Sequence, residues 1–198
     1  LCVAELLLAL VTCGAPLSED LVEQVTGLVP KLDKSRLFRG RGGELMRQAS
    51  CALLENIAKS NLQFNMKTKV TLVEFLNENL RHPQEYIQES AADSLREFFF
   101  SYFSKGDDDP SERLQKLTVQ TYMQGLDTEE NVAATRGYAL ALGVLPPRIL
   151  CRPAGRLMEV LTCLAASAQE DRKIAGSTDA ETRRYCVMSI VEVMEKVS

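Results

Sequence analysis

An all-α solenoid, a row of helix pairs each leaning on the next, is the fold class this sequence predicts, and three observations predict it. No stretch alternates apolar and polar residues for long enough to make a strand, whereas apolar residues recur at helical spacing along most of the chain. A nine-residue pattern of one large apolar residue, polar residues, small residues and a closing aliphatic occurs four times. Helix-start and helix-stop residues fall between the copies.

The pattern is fullest at Ile87–Leu95, I-Q-E-S-A-A-D-S-L. On a helix, Ile87, Ala91, Leu95 and Phe98 share one stripe, and Ser90, Ala91 and Ala92 let a second helix come close. The other copies are Met46–Leu54, Val132–Leu140 and Thr182–Ile190, closing on Leu54, Leu140 and Ile190, with steps of 41, 45 and 50 residues. Helix-pair repeats of about 40–47 residues mark HEAT and armadillo solenoids. The last step is long, and a loop over Ala168–Ser177 supplies the excess. Leu95→Ala is expected to cost about 2–5 kcal/mol if Leu95 lies in the core shared by neighbouring pairs.

In chain order, Leu1–Cys13 reads as a lone helix stopped by Gly14-Ala15-Pro16, and residues 1–16 as the end of a preceding repeat. Residues 17–198 read as four helix pairs. Ser18 caps the next helix, with Glu19 and Asp20 against its N-terminal dipole, and Pro30 ends or kinks it. Lys31–Gly43 is a connector carrying Lys31, Lys34, Arg36, Arg39 and Arg41, with a flexible Gly40–Gly43 end. Glu44–Ser60 is the first copy of the repeating helix; Asn61–Asn65 turns the chain into Met66–Leu80. Arg81-His82-Pro83 breaks it before Gln84–Ser104. Lys105–Asp109 is a polar loop, and Asp109-Pro110-Ser111-Glu112 starts the helix over Leu114–Leu126 with a capping box. Thr128 is expected to cap Glu129–Leu145. Pro146, Pro147 and Pro153 make a connector; Gly155–Ala168 is helical with Leu157, Val160, Leu161 and Leu164 inward. A capping box at Thr178–Glu181 opens Thr182–Val197.

The net charge of −4 disfavours a general nucleic-acid binder, which carries a basic excess. Leu1–Val11 is apolar, but it has no basic leader, carries Glu5, and is far shorter than the ~20 residues that span a bilayer. No membrane span is expected. The chain starts inside that apolar run without an initiator Met, as expected of a piece of something longer. The six cysteines form no C-x-x-C and most lie in apolar helical runs, so reduced, buried thiols of a cytosolic protein are expected.

Catalytic constellations do not assemble. His82 is the one histidine and stands in a turn before Pro83. A zinc site would need a second His or a C-x-x-C. Gly40–Gly43 lacks the Lys-Ser/Thr of a phosphate loop, and there is no G-x-S-x-G elbow. The paired carboxylates Glu129/Glu130 and Asp107–Asp109 sit where helices start, and dipole compensation accounts for them. No cofactor, metal or catalytic residue is expected.

Two surface candidates remain. The aromatic cluster Phe98, Phe99, Phe100, Tyr102 and Phe103 reads either as core or as a partner-binding anchor, with Phe100 and Phe103 the exposed members. The basic connector, above all Arg36, Arg39 and Arg41, reads either as a solvated linker or as a patch that steers an acidic partner.

R-G-G-E-L-M-R-Q-A-S-C-A-L-L-E-N-I-A at Arg41–Ala58, I-Q-E-S-A-A-D-S-L-R-E-F-F at Ile87–Phe99 and N-V-A-A-T-R-G-Y-A-L-A-L-G-V-L-P at Asn131–Pro146 resemble the C-terminal part of the tubulin-folding cofactor D family. The resemblance runs from about Ser18 to Ser198, and the Asn131–Pro146 block is its most specific part, because T-R-G-Y at Thr135–Tyr138 departs from a generic Ala-rich repeat. It implies a HEAT-repeat chaperone that captures β-tubulin. With cofactors C and E and an Arf-like small GTPase, such a chaperone assembles or dismantles the αβ-tubulin heterodimer. It also implies a cytoplasmic, cytoskeleton- and centrosome-associated protein and a GTPase-activator role in which hydrolysis occurs on tubulin. It assigns no individual contact residues. A generic HEAT-repeat scaffold is the alternative.

Overall fold

The computed structural model describes residues 1–104, 112–128, 131–169 and 180–198, and every described element is helical or a turn. Helix α1 spans Cys2–Thr12, and the left-handed Gly14 follows it. Ser18 Oγ accepts the Leu21 N–H at 3.3 Å and starts α2, Glu19–Thr26. The break comes at Gly27, not at Pro30: Pro30 lies in the first turn of α3, Leu28–Lys34, where its missing N–H costs no helical bond. Lys31 and Lys34 therefore ride on a helix, and the connector proper is residues 35–42.

Helix α4 covers Gly43–Lys59, and α5, Met66–Leu80, begins at Asn65, whose side chain accepts the Thr68 N–H at 2.8 Å. Helices α6, Glu85–Phe103, and α7, Glu112–Thr128, follow. Thr128 is not the cap of the helix that follows. It is the last residue of α7 and its hydroxyl donates back to the Gln124 carbonyl at 2.9 Å. The cap of α8, Val132–Val144, is Asn131, whose Oδ1 accepts the Ala133 N–H at 3.0 Å. A threonine in a last turn spends its hydroxyl on its own helix, and Asn is the stronger cap. The proline connector holds a short helix, α9, Pro147–Cys151, because Pro147 supplies a ready first-turn geometry. Helices α10, Arg156–Ala168, and α11, Ala180–Val197, complete the chain. The expected Lys105–Asp109 loop, most of the start at 109–112, Glu129 and Glu130, and most of the 168–177 loop with Thr178 and Asp179 lie outside the described residues.

The helices form two layers. Helices α1, α4, α6, α8 and α11 lie side by side in that order; α5 packs on α6, α7 on α8 and α10 on α11, with α3 against α5. This is the expected all-α solenoid, and neighbours supply each other's core. Two serines define the stacking register. Ser94 of α6 donates to the Cys51 carbonyl of α4, and Ser189 of α11 donates to the Ala139 carbonyl of α8, both at 2.8 Å. Aligning Cys51 with Ala139 aligns Leu54 with Leu142 rather than with Leu140. Leu142 is fully buried and Leu140 only partly so. Small residues recur all along α8 (Ala133, Ala134, Gly137, Ala139, Ala141, Gly143), so a small-residue pattern has no unique register there.

Leu95 has no exposed surface, in the core shared by α4, α6 and α8. Gly137 brings α8 against the end of α5, where an added Cβ would lie 1.7 Å from the Leu80 carbonyl oxygen. Gln88 Nε2 ties the same junction, within reach of the Leu80 carbonyl at 2.9 Å and the Ala133 carbonyl at 2.5 Å. At the other end of α6, Phe98, Phe99, Tyr102 and Phe103 are core. The cysteines divide differently from the expectation. All six are free thiols, but only Cys51 and Cys186 are buried, while Cys2, Cys13 and Cys151 are exposed near helix ends.

Candidate protein-docking surface

The loop at residues 35–42 is a shaped structure rather than a solvated tether. Leu32, Leu37 and Phe38 are the apolar residues in an otherwise basic, glycine-rich run, and Phe38 turns inward, 6% exposed. Its ring packs on Phe75 of α5 with centroids 5.0 Å apart, and the Arg47 guanidinium lies over the ring, 5.4 Å from its centroid. Arg47 is itself held by Asn79 Oδ1 at 2.8 Å and Glu78 Oε1 at 3.1 Å. Three left-handed residues, Arg36 (φ 58°), Gly40 (φ 78°) and Gly42 (φ 86°), bend the chain tightly around this pin. Turn hydrogen bonds close it: Arg36 N–H to the Asp33 carbonyl at 2.8 Å, and Gly43 N–H to the Gly40 carbonyl at 3.1 Å. An inward Phe38 forces its flanking residues outward.

Lys31, Lys34, Arg36, Arg39 and Arg41 are all exposed, and none forms an ion pair with a described residue. Leu37 (47% exposed) and Leu45 (72% exposed) stand among them. Five unpaired cations on a chain of net charge −4 concentrate positive potential in one place, and the two leucines add apolar area to it.

The loop belongs to an edge of several turns. Tyr86, at the start of α6, donates its hydroxyl to Glu44 Oε2 at the start of α4 at 2.6 Å. Arg136 of α8 reaches the Pro83 carbonyl at 2.9 Å and Glu85 Oε1 at 3.4 Å. These bonds fix the turn at 81–84 beside the basic loop. Within that turn, burial and the Arg47 charge push the His82 imidazole below its ordinary pKa, and its Nδ1 accepts the Gln84 N–H at 3.1 Å. His82 is thus a neutral turn residue, and the positive charge of the edge comes from Lys and Arg. A cleft of about 290 Å³ between α3 and α5 opens next to the loop, walled by Asp33, Glu74 and Glu78 as well as Lys34. Among the described residues no His, Cys, Asp and Glu cluster is arranged to hold a metal, and no helix is long and apolar enough to cross a membrane.

The sequence candidates do not converge. Arg36, Arg39 and Arg41 share the loop, but Phe100, 66% exposed, sits in the last turns of α6. Tyr86 marks the basic edge, and fourteen residues of helix separate it from Phe100, about 20 Å along the axis. Phe103 is 1% exposed and packs on Phe99 (4.9 Å between centroids) and Phe98 (6.1 Å), so its expected place on the surface is corrected to the core. Its spacing of four residues from Phe99 puts it on that residue's side of the helix. Sequence reasoning missed Phe38 and Arg47, which give the loop its shape. The available signal was an aromatic residue standing inside a basic, glycine-rich run.

Comparison with characterised proteins finds relatives of this stretch. The chain is similar to tubulin-specific chaperone D of Dictyostelium discoideum, 30% identical over 122 residues. The match covers 60% of this chain and 8% of that protein, so the chain spans less than a tenth of the relative's length. No family model matches the chain, and no solved structure does.

Proposed function

We propose that the chain is a tubulin-binding segment of a chaperone, one that captures β-tubulin and works without chemistry of its own. The similarity to tubulin-specific chaperone D carries the reading, and the pinned, unpaired basic loop supports it. A rigid array of cations flanked by two leucines suits an acidic protein surface. Such an array raises the rate of encounter, while the leucines contribute apolar burial once the partner is seated. In this reading the segment belongs to a machine that assembles or dismantles the αβ-tubulin heterodimer together with cofactors C and E and an Arf-like small GTPase, in the cytoplasm. Residues 17–198 act as one row of four helix pairs, and residues 1–16 close the pair before them.

The alternative partner set is that of a general helical-repeat scaffold. Tagged chain, incubated with cell lysate and washed at low salt, should retain β-tubulin above the level retained by an unrelated helical-repeat protein of equal charge. Retention of other proteins with β-tubulin at background would favour the scaffold reading instead.

A further inference from the structure

The basic loop leaves more outside than charge. Phe38 is spent on its contacts with Phe75 and Arg47, and its neighbours Leu37 and Arg39 face solvent. Leu37 is 47% exposed. Leu45, in the first turn of α4, is 72% exposed, the most exposed large hydrophobic residue among those described. Neither leucine lines the cleft between α3 and α5 or the groove between α2 and the start of α5. A partner therefore meets projecting apolar side chains among cations rather than a socket.

The carboxylates close by are otherwise engaged. Glu44 accepts the Tyr86 hydroxyl, and Asp33 walls the α3–α5 cleft with Glu74 and Glu78, the last held by Arg47. Lys31, Lys34, Arg36, Arg39 and Arg41 thus stand together with no ion pair to a described residue. The net charge of −4 already counts them, so the rest of the chain is more acidic still. A negatively charged surface attracts the molecule here and repels the remainder, which selects one orientation.

We infer that this loop docks the chain on an anionic lipid surface, its five cations at the headgroups and Leu37 and Leu45 in the acyl boundary. Clusters of about four to eight Lys and Arg recognise acidic headgroups, and apolar side chains among them add insertion. A fluid bilayer accepts a projecting leucine without a matching pocket, whereas a folded protein surface must supply one. The contact is peripheral, since no helix among the described residues is long and apolar enough to cross a membrane. Lipid docking goes beyond the tubulin reading and does not rest on it. Its test contains no tubulin, so either can fail alone.

Flotation of the 198-residue chain with vesicles tests this. At about 0.1 M salt, where exposed charges act over about 10 Å, the chain should float with phosphatidylcholine vesicles containing phosphatidylserine and stay behind with phosphatidylcholine alone. Arg36→Glu/Arg39→Glu/Arg41→Glu should weaken binding about a hundredfold. Leu37→Ser/Leu45→Ser, with every charge kept, should weaken it about tenfold. Lys67→Glu/Arg113→Glu/Lys116→Glu, at exposed positions of α5 and α7, changes the net charge as much as the loop variant does and should bind as wild type. All three variants should keep wild-type circular dichroism, because the replaced side chains are exposed. No binding to the phosphatidylserine vesicles, equal binding to both compositions, a charge control as weak as the loop variant, or a leucine variant as tight as wild type would each overturn the inference.

Discussion

Gly137 occupies the tightest place in the row. Its missing side chain lets α8 lie against the last turn of α5, and a methyl group would meet the Leu80 carbonyl at 1.7 Å with backbone on both sides. Overfilling a packed site costs about 1–3 kcal/mol and more where backbone must move. Gly137→Ala should fall at or beyond the top of that range, whereas Gly40→Ala, in open space, should cost only the strain of its positive φ. Denaturant melts of the two variants check this, and equal losses would mean that α8 does not approach α5 so closely. Residue-scale features of this kind were the least legible in the sequence. Thr135–Tyr138 stood out as unlike a generic repeat, but that Gly137 marks a helix crossing follows only once Leu80 is seen opposite it. The thiols show the same limit. Burial pushes the Cys51 thiol up to about 12, as expected of an inert core cysteine. Cys2, Cys13 and Cys151 lie equally within apolar runs yet are exposed, because periodicity gives a face and not what covers it.

Helices and their connecting turns are where sequence and structure agree best. Capping residues and breakers placed most ends within two or three residues, since Ser18, Asn65, Gly14 and Pro83 act through local backbone chemistry. The exceptions were contests between local options, as between Thr128 and Asn131 for one cap. The 35–42 loop had two readings, and the choice depends on Phe75 and Arg47, residues 37 and 9 positions from Phe38, which no local pattern connects to it. Its charge has a direct consequence. Charge reversal at Arg36, Arg39 and Arg41 should slow association with tubulin at low salt, and raising the salt should shrink the difference, because exposed charges are screened over about 10 Å at 0.1 M. No histidine contributes to the patch, so the loop's share of the rate should be flat between about pH 6 and 8. Stopped-flow association rates read both, and a reversed variant that binds as fast as wild type at low salt would remove the loop from the interface.

For the molecule as a whole, a repeating pattern with no strand signal was enough to give the solenoid, because one helix pair cannot bury both of its apolar faces and a row of them can. What the pattern lacked was the register in α8, which depends on which small residue meets Ser189. Stability should accordingly sit in the joints. Leu95, fully buried between neighbours, should cost about 2–5 kcal/mol when cut to Ala, while Leu45, 72% exposed, should cost little. Function, in contrast, rests on a similarity that touches a small part of a much longer relative and on the unpaired charge at one edge of the row. Zero-length carboxyl-to-amine crosslinking of the chain with purified tubulin, read by mass spectrometry, tests that assignment most directly. The account predicts that Lys31 and Lys34 join to acidic residues of β-tubulin. Crosslinks confined to lysines away from this edge, such as Lys59 and Lys196, or none above an unrelated acidic protein, would contradict it.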